Sequence, residues 1–244
     1  MKITVIGIGP GNDRGMTVAA LEVLRQAEVV VGYDVYVDLV RHHCAGKEVL
    51  STGMRHEVER CSMALESALQ GKNVVFVCSG DAGIYGMAGI MMDVAADHPD
   101  VVVDVVPGVT AACFAAALLG APLGHDFAAI SLSDLLTPWE LIEKRIRLAA
   151  EADLILCLYN PRSRKRHDYL DRAVAWVLEY RAAATPSGYV KNAGRAGEEA
   201  HICRLDAIPH CAIDMFTTVI IGNSQTRLVN GRLVTPRGYR GFEG

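Results

Sequence analysis

Val74-Val75-Phe76-Val77-Cys78-Ser79-Gly80-Asp81-Ala82-Gly83-Ile84-Tyr85-Gly86 is the stretch that decides the fold. A five-residue apolar run rich in β-branched side chains, ending abruptly in small residues, Gly and one Asp, predicts a buried strand. A tight turn then follows, where the backbone comes close to a ligand. In open α/β sheets ligands lie beyond the carboxyl ends of the strands, so this turn marks a site rather than a linker.

Toward the amino end, Ile3 to Ile6 predicts a first strand running into Gly7-Ile8-Gly9-Pro10-Gly11-Asn12. The dinucleotide fingerprint G-x-G-x-x-G fails here, because its third Gly falls on Asn12 and Pro10 removes a backbone N–H that a pyrophosphate would need. Thr17 to Gln26 has helical spacing (Val18, Leu21, Leu24), and Ala27 to Gly32 returns as a strand, giving a β-α-β start. Tyr33-Asp34 leads into a polar, Arg- and His-bearing passage from Arg41 to Arg55, read as a loop around Gly53. Glu57 to Gln70 predicts a helix with Gly71 at its C-terminal cap.

Beyond the central stretch, Gly86 to Asp97 predicts a helix whose Met87, Met91 and Met92 fill core. Val101 to Val106 reads as an apolar strand of the kind that parallel sheets covered on both faces require. Pro107-Gly108-Val109-Thr110-Ala111-Ala112 then opens an Ala-rich helix to Leu119. Strands alternating with helices predict an α/β fold with a doubly wound, mostly parallel sheet over residues 1–120.

Gly120 to Gly124 is the expected boundary, with a second α/β domain over 121–244 built on a mixed sheet. Ala128 to Ser133 and Leu154 to Asn160 predict strands, and Thr137-Pro138-Trp139-Glu140 predicts a helix start with Thr137 as cap. Ser187 to Lys191, His201 to Leu205, Phe216 to Gly222 and an Asn230-Gly231 hairpin add closely spaced strands.

The 244 residues carry 51% hydrophobic side chains and a net charge of -4, which suits a compact enzyme and excludes a disordered chain or a nucleic-acid-coating protein. No apolar run reaches the length of a bilayer span, and Met1 to Val5 enters a strand in place of a signal peptide, so a cytoplasmic protein without membrane contact is expected. The seven Cys include no C-x-x-C pair and predict core thiols rather than disulfides or a zinc site. His42-His43-Cys44 invites a metal, but adjacent side chains do not converge on one ion without special backbone geometry, and no metal is expected.

Val5-x-Gly7-x-Gly9-Pro10-Gly11, then Ser79-Gly80-Asp81 with Ile84-Tyr85-Gly86, then Val106-Pro107-Gly108-Val109-Thr110-Ala111, occur in an order and at spacings that resemble the tetrapyrrole methylases. Leu132 to Glu140, Leu158-Tyr159-Asn160-Pro161-Arg162-Ser163-Arg164-Lys165-Arg166 and Lys191-Asn192-Ala193-Gly194-Arg195 are similar to the branch that acts on C17 of precorrin-3B. The resemblance implies two α/β domains with the active site in the cleft between them, as in class III methyltransferases. It also implies S-adenosylmethionine as cofactor with S-adenosylhomocysteine as product, a tetrapyrrole substrate methylated at C17 with ring contraction, and a homodimer. It places the cofactor against Gly9, Pro10, Ser79, Gly80, Asp81, Ile84, Thr110, Ala111, Tyr159, Asn160, Ala193 and Thr217. Where the family usually reads Gly-Asp-Pro, this chain has Ala82 in place of the Pro. Where related methylases carry Gly-Lys-Arg, Met54 stands between Gly53 and Arg55, so that Lys role does not transfer.

Methyl transfer to carbon needs alignment and exclusion of water more than acid or base groups, which suits turns of small residues. Ring contraction also needs proton movement, for which Asp34 is the leading candidate, followed by Ser131, Asp134 and Lys191. The carboxylates of a tetrapyrrole call for local cations in an acidic chain. Arg162, Arg164 and Arg166, just before a helix near Asp168, with Arg55 and Arg195, are the candidate anchors. A methylase acting at another ring carbon, an NAD-dependent oxidoreductase and a tetrapyrrole carrier without catalysis remain as alternatives.

Overall fold

The computed structural model describes residues 1–163 and 167–239, so Arg164 and Arg166 lie outside the described residues. The chain forms two compact units, Met1–Ala111 and Ala112–Gly244.

The first unit holds β1 (Lys2–Gly7), α1 (Val18–Gln26), β2 (Val29–Tyr33), α2 (Asp34–Leu39), β3 (Glu48–Thr52), α3 (Glu57–Leu69), β4 (Val74–Cys78), α4 (Ala88–Ala95) and β5 (Val102–Val106). Its strands pair in parallel in the order β3-β2-β4-β1-β5. Alternate residues of β4 explain the two faces. Val74, Phe76 and Cys78 are buried with Cys61, Ala64, Ala68 and Met91 of α3 and α4, whereas Val75 and Val77 are buried with Ala20, Leu24 and Val37 of α1 and α2. A strand covered on both sides has no use for polar residues, hence its continuous apolar run.

Local signals set the ends. Thr17 caps α1 by accepting a hydrogen bond from the Ala20 amide at 3.1 Å, a contribution of about 1 kcal/mol. Gly71 adopts a φ of 84° just past α3, as a helix C-terminus favours. Three expectations need correction. The passage at 41–55 contains β3, an edge strand of only partly buried residues whose polar composition hides it. Val102–Val106 is likewise an edge strand, interrupted by Asp104, which pairs with Lys2 at 2.8 Å in solvent. Of the methionines, Met91 fills core but Met92 is exposed.

The second unit holds α5 (Ala111–Leu119, which begins on the last residue of the first unit), β6 (Gly120–Ala121), β7 (Phe127–Ser131), α6 (Trp139–Glu151), β8 (Ile155–Tyr159), α7 (Tyr169–Leu178), β9 (Pro186–Lys191), β10 (Glu199–Arg204), β11 (Thr217–Ile221), β12 (Arg227–Val229) and β13 (Arg232–Val234). The main sheet is mixed, in the order β10-β9-β11-β8-β7, with only β7 and β8 parallel. One face buries Ile142, Ile146, Leu170 and Val174 of α6 and α7. The other buries Ala112, Ala115, Ala116 and Leu119 of α5 against Ile155, Cys157, Val190 and Ile220, which is why α5 belongs to this unit. Asn230 and Gly231, at φ 50° and 74°, form the tight turn between β12 and β13. The start of α6 is shifted from the expected cap. Pro138 occupies that position, and its carbonyl accepts from the Leu141 and Ile142 amides at 3.0 and 3.2 Å.

Candidate active site

In the first unit β4, β1 and β5 are neighbours, so the loops leaving their carboxyl ends lie side by side. Gly9 and Gly80 pair in both directions, with N–H to O distances of 3.0 and 2.8 Å, and both need left-handed φ values of 56° and 68°. A Cβ at Gly108 would lie 2.2 Å from the Gly80 carbonyl oxygen and 2.6 Å from the Gly7 carbonyl, and one at Gly7 would lie 2.6 Å from that same Gly80 oxygen. The turns can approach this closely only because Gly7 and Gly108 lack a side chain, while Gly80 supplies the left-handed backbone its turn needs.

Asp81 binds the turns together. Its Oδ1 accepts from the Gly83 and Ile84 amides at 2.8 and 3.1 Å, and its Oδ2 accepts from the Gly108 amide at 3.0 Å. Ala82, in place of the family's Pro, is fully buried, while Ile84 and Tyr85 are exposed beside it. Pro10, Ser79, Thr110 and Ala111 lie in these same turns. The result is a rigid, backbone-lined cradle at the carboxyl edge of a parallel sheet, suited to gripping a small polar ligand by amides and carbonyls.

Asp34 opens α2 at the carboxyl end of β2 and is exposed. The adjacent loop at Thr52 and Gly53 is held by Arg60, a residue the sequence reading passed over. Arg60 is 3% exposed and donates to Thr52 Oγ1 at 2.6 Å and to the Gly53 carbonyl at 2.8 Å. Its guanidinium also lies 5.8 Å from the centre of the Tyr33 ring. A signal existed, since helical period sets this cation on the apolar face of α3 with Cys61, Ala64 and Ala68. Arg55 follows at a φ of 71°, exposed.

The second unit gathers its candidates at one sheet edge, formed by the carboxyl ends of β7, β8 and β9 and the amino end of β11. Ser131 Oγ accepts from Asn160 Nδ2 at 3.0 Å, and Asn160 takes a φ of 50°. Tyr159 accepts from the Ala112 amide at 3.0 Å through its hydroxyl, which ties β8 to α5. Lys191 Nζ lies 3.2 Å from Asp214 Oδ2, while Asp214 Oδ1 accepts from Thr217 Oγ1 at 3.0 Å. Asp214 thus organises two expected site residues and was itself missed, since a lone acid before a strand carries no pattern. Asp134 accepts from the Tyr169 hydroxyl at 2.7 Å. Ala193 and Arg195 lie in the turn after β9, where the Arg195 amide donates to the Asn192 carbonyl at 2.8 Å. Arg162 does not stand ready as an anchor. It donates to Asp171 and, at 2.7 Å, to the Pro209 carbonyl, so it braces its own unit.

The thiols behave as core. Burial pushes Cys78 and Cys157 up to about 12 and Cys61 up to about 11.

A family model described as Tetrapyrrole (Corrin/Porphyrin) Methylases matches residues 2–209. The chain belongs to that family. Among relatives of this methylase, a Salmonella typhimurium protein named "Probable cobalt-factor III C(17)-methyltransferase" is 50% identical over 97% of this chain and 99% of its own length. A Sinorhizobium precorrin-3B C(17)-methyltransferase is 39% identical, covering 97% and 96% respectively. The crystal structure of the methyltransferase CobJ superposes with a TM-score of 0.89 at 37% identity, covering 96% of this methylase and 99% of that chain.

His42 and His43 do converge, each placing Nε2 on Asp13 Oδ1, at 3.0 and 2.8 Å, because the 3-10 turn Arg41–His43 supplies the special geometry. Cys44 turns away to the Val40 carbonyl.

Proposed function

We propose that this methylase uses S-adenosylmethionine to methylate C17 of precorrin-3B, or its cobalt form, with ring contraction towards precorrin-4, in cobalamin biosynthesis. The observation that carries this is the cradle at Gly7, Gly80 and Gly108, where no Cβ fits at Gly7 or Gly108, Gly80 takes a left-handed φ of 68°, and Asp81 fixes three amides. A backbone-lined site suits a cofactor recognised through its amino-acid, ribose and adenine groups. S-adenosylmethionine, when bound, supplies an electrophilic methyl group and leaves as S-adenosylhomocysteine.

In the first unit Gly9, Pro10, Ser79, Gly80, Ile84, Thr110 and Ala111 are the proposed cofactor residues, with Asp81 positioning them. In the second, Tyr159, Asn160, Ala193 and Thr217 take that role. Alignment of this kind is worth roughly 7 to 11 kcal/mol in an in-line displacement, and it requires rigid turns more than ionisable groups. Asp34 moves the proton needed for ring contraction. Ser131, Asp134 and Lys191 each have a hydrogen-bond or ion-pair partner in their own unit and rank behind it. Arg55 and Arg195 bind substrate carboxylates.

Among the described residues no helix is long and apolar enough to cross a membrane. A cytoplasmic homodimer accompanies this proposal and is checked by sedimentation of the purified protein. The decisive assay supplies S-adenosylmethionine with precorrin-3B or with cobalt-factor III and follows the pigment by mass spectrometry. Gain of one methyl group at C17 on either pigment supports the assignment, and the preferred pigment defines the substrate. Methylation at another carbon, or pigment binding without transfer, overturns it.

A further inference from the structure

We propose that Asp13, His42 and His43 form a binding site for one divalent first-row transition ion such as Zn2+ or Co2+. Their ligand atoms all lie within 4.8 Å of one another. Two imidazole nitrogens and one carboxylate oxygen are the donor set such ions prefer, whereas Mg2+ and Ca2+ favour oxygen alone. A tetrahedral ion with bonds of about 2.0 to 2.1 Å sets its ligands about 3.3 to 3.4 Å apart. The present nitrogen-to-oxygen separations of 2.8 and 3.0 Å therefore need to open by only about half an ångström.

The backbone already prepays for this arrangement. Adjacent side chains ordinarily diverge, yet the Arg41–His43 turn brings the two ring centres to 4.1 Å, tilted at 42°. The opposing loop is closed by Asn12, whose carbonyl and Oδ1 both accept from the Gly15 amide, at 3.0 and 2.9 Å. That loop lies so close to α2 that a Cβ on Gly11 would sit 2.4 Å from Leu39 Cδ1. The neighbouring cation Arg41 is paired with Asp38 at 2.8 Å. Asp13 and His42 are half exposed and His43 is largely covered, which leaves the remaining coordination positions to water. Because Asp13 follows Gly9 and Pro10 in one connection, a bound ion clips the cradle's first turn to the segment after α2.

The test uses untagged protein stripped with a chelator and titrated with CoCl2 by visible absorption and with ZnCl2 by calorimetry. One saturating equivalent is expected, with affinity falling at least tenfold in Asp13→Asn and in His43→Ala and unchanged in His125→Ala, a surface histidine of the other unit. Circular dichroism checks the fold of each variant. On the wild type, Zn2+ should protect His42 and His43 from diethyl pyrocarbonate, read by peptide mass. Absence of saturable binding, undiminished binding in both variants, or unprotected histidines overturns the site.

Discussion

Replacing Gly108 by Ala adds one methyl group where the structure has none to spare. The new Cβ would stand 2.2 Å from the Gly80 oxygen and 2.6 Å from the Gly7 carbonyl carbon and oxygen, all backbone atoms at the ends of β4 and β1. No side chain can rotate away, so the turn itself must move by about an ångström to restore ordinary contact. Gly108 has no positive φ, which leaves steric overlap as the sole cause. Overpacking of this kind costs about 1 to 3 kcal/mol. Thermal unfolding should fall by roughly 2 to 4 °C per kcal/mol in a chain of this size. A turn displaced that far should also weaken S-adenosylhomocysteine binding at least tenfold in calorimetry. Gly89→Ala is the matched control, since its Cβ would meet nothing within 4 Å, and in α4 it should gain about 0.5 to 1 kcal/mol. Equal stability and equal cofactor affinity in Gly108→Ala and the wild type would refute the cradle.

Asp34→Asn should cut turnover while leaving S-adenosylhomocysteine affinity unchanged; unaltered turnover would remove Asp34 from proton transfer. Asp81→Asn keeps one carbonyl oxygen for Gly83 and Ile84 but turns an N–H2 toward the Gly108 amide. It should therefore lose about 1 to 3 kcal/mol by chemical denaturation and cofactor affinity with it. Arg60→Leu orphans the Gly53 carbonyl and frees the loop beside Asp34, so turnover should fall more than cofactor binding. Burial raises the thiol pKa of Cys61, Cys78 and Cys157 to about 11 to 12, and the thiolates therefore form only well above neutrality. At pH 8 iodoacetamide should label the exposed Cys113 first and these three only on unfolding, as peptide mapping will show.

The strongly patterned parts of the chain are legible in the sequence. Val74–Cys78 is apolar on both faces because helices cover both, and the glycines after β1, β4 and β5 announce close backbone approach through the lack of any alternative residue that fits. Edge strands are legible only in part. Glu48–Thr52 is partly exposed and its polar residues hide it, whereas Val102–Val106 reads as a strand but its solvent-facing edge position, marked only by Asp104, does not show. Contacts between residues far apart in sequence leave no local trace either. The grip of Asp81 on the Gly108 amide, the ion pair of Lys191 with Asp214 and the bracing of Arg162 by Asp171 each required the fold. Arg162 shows the cost of reading charge alone, since a cation in a basic run looks available until its partners are known.

The most direct test of the central claim is calorimetric titration of the purified wild-type protein with S-adenosylhomocysteine, with NAD titrated in parallel and no tetrapyrrole present. The glycine cradle predicts saturable one-site binding of S-adenosylhomocysteine and none of NAD. Binding of NAD alone, or of neither, would contradict it.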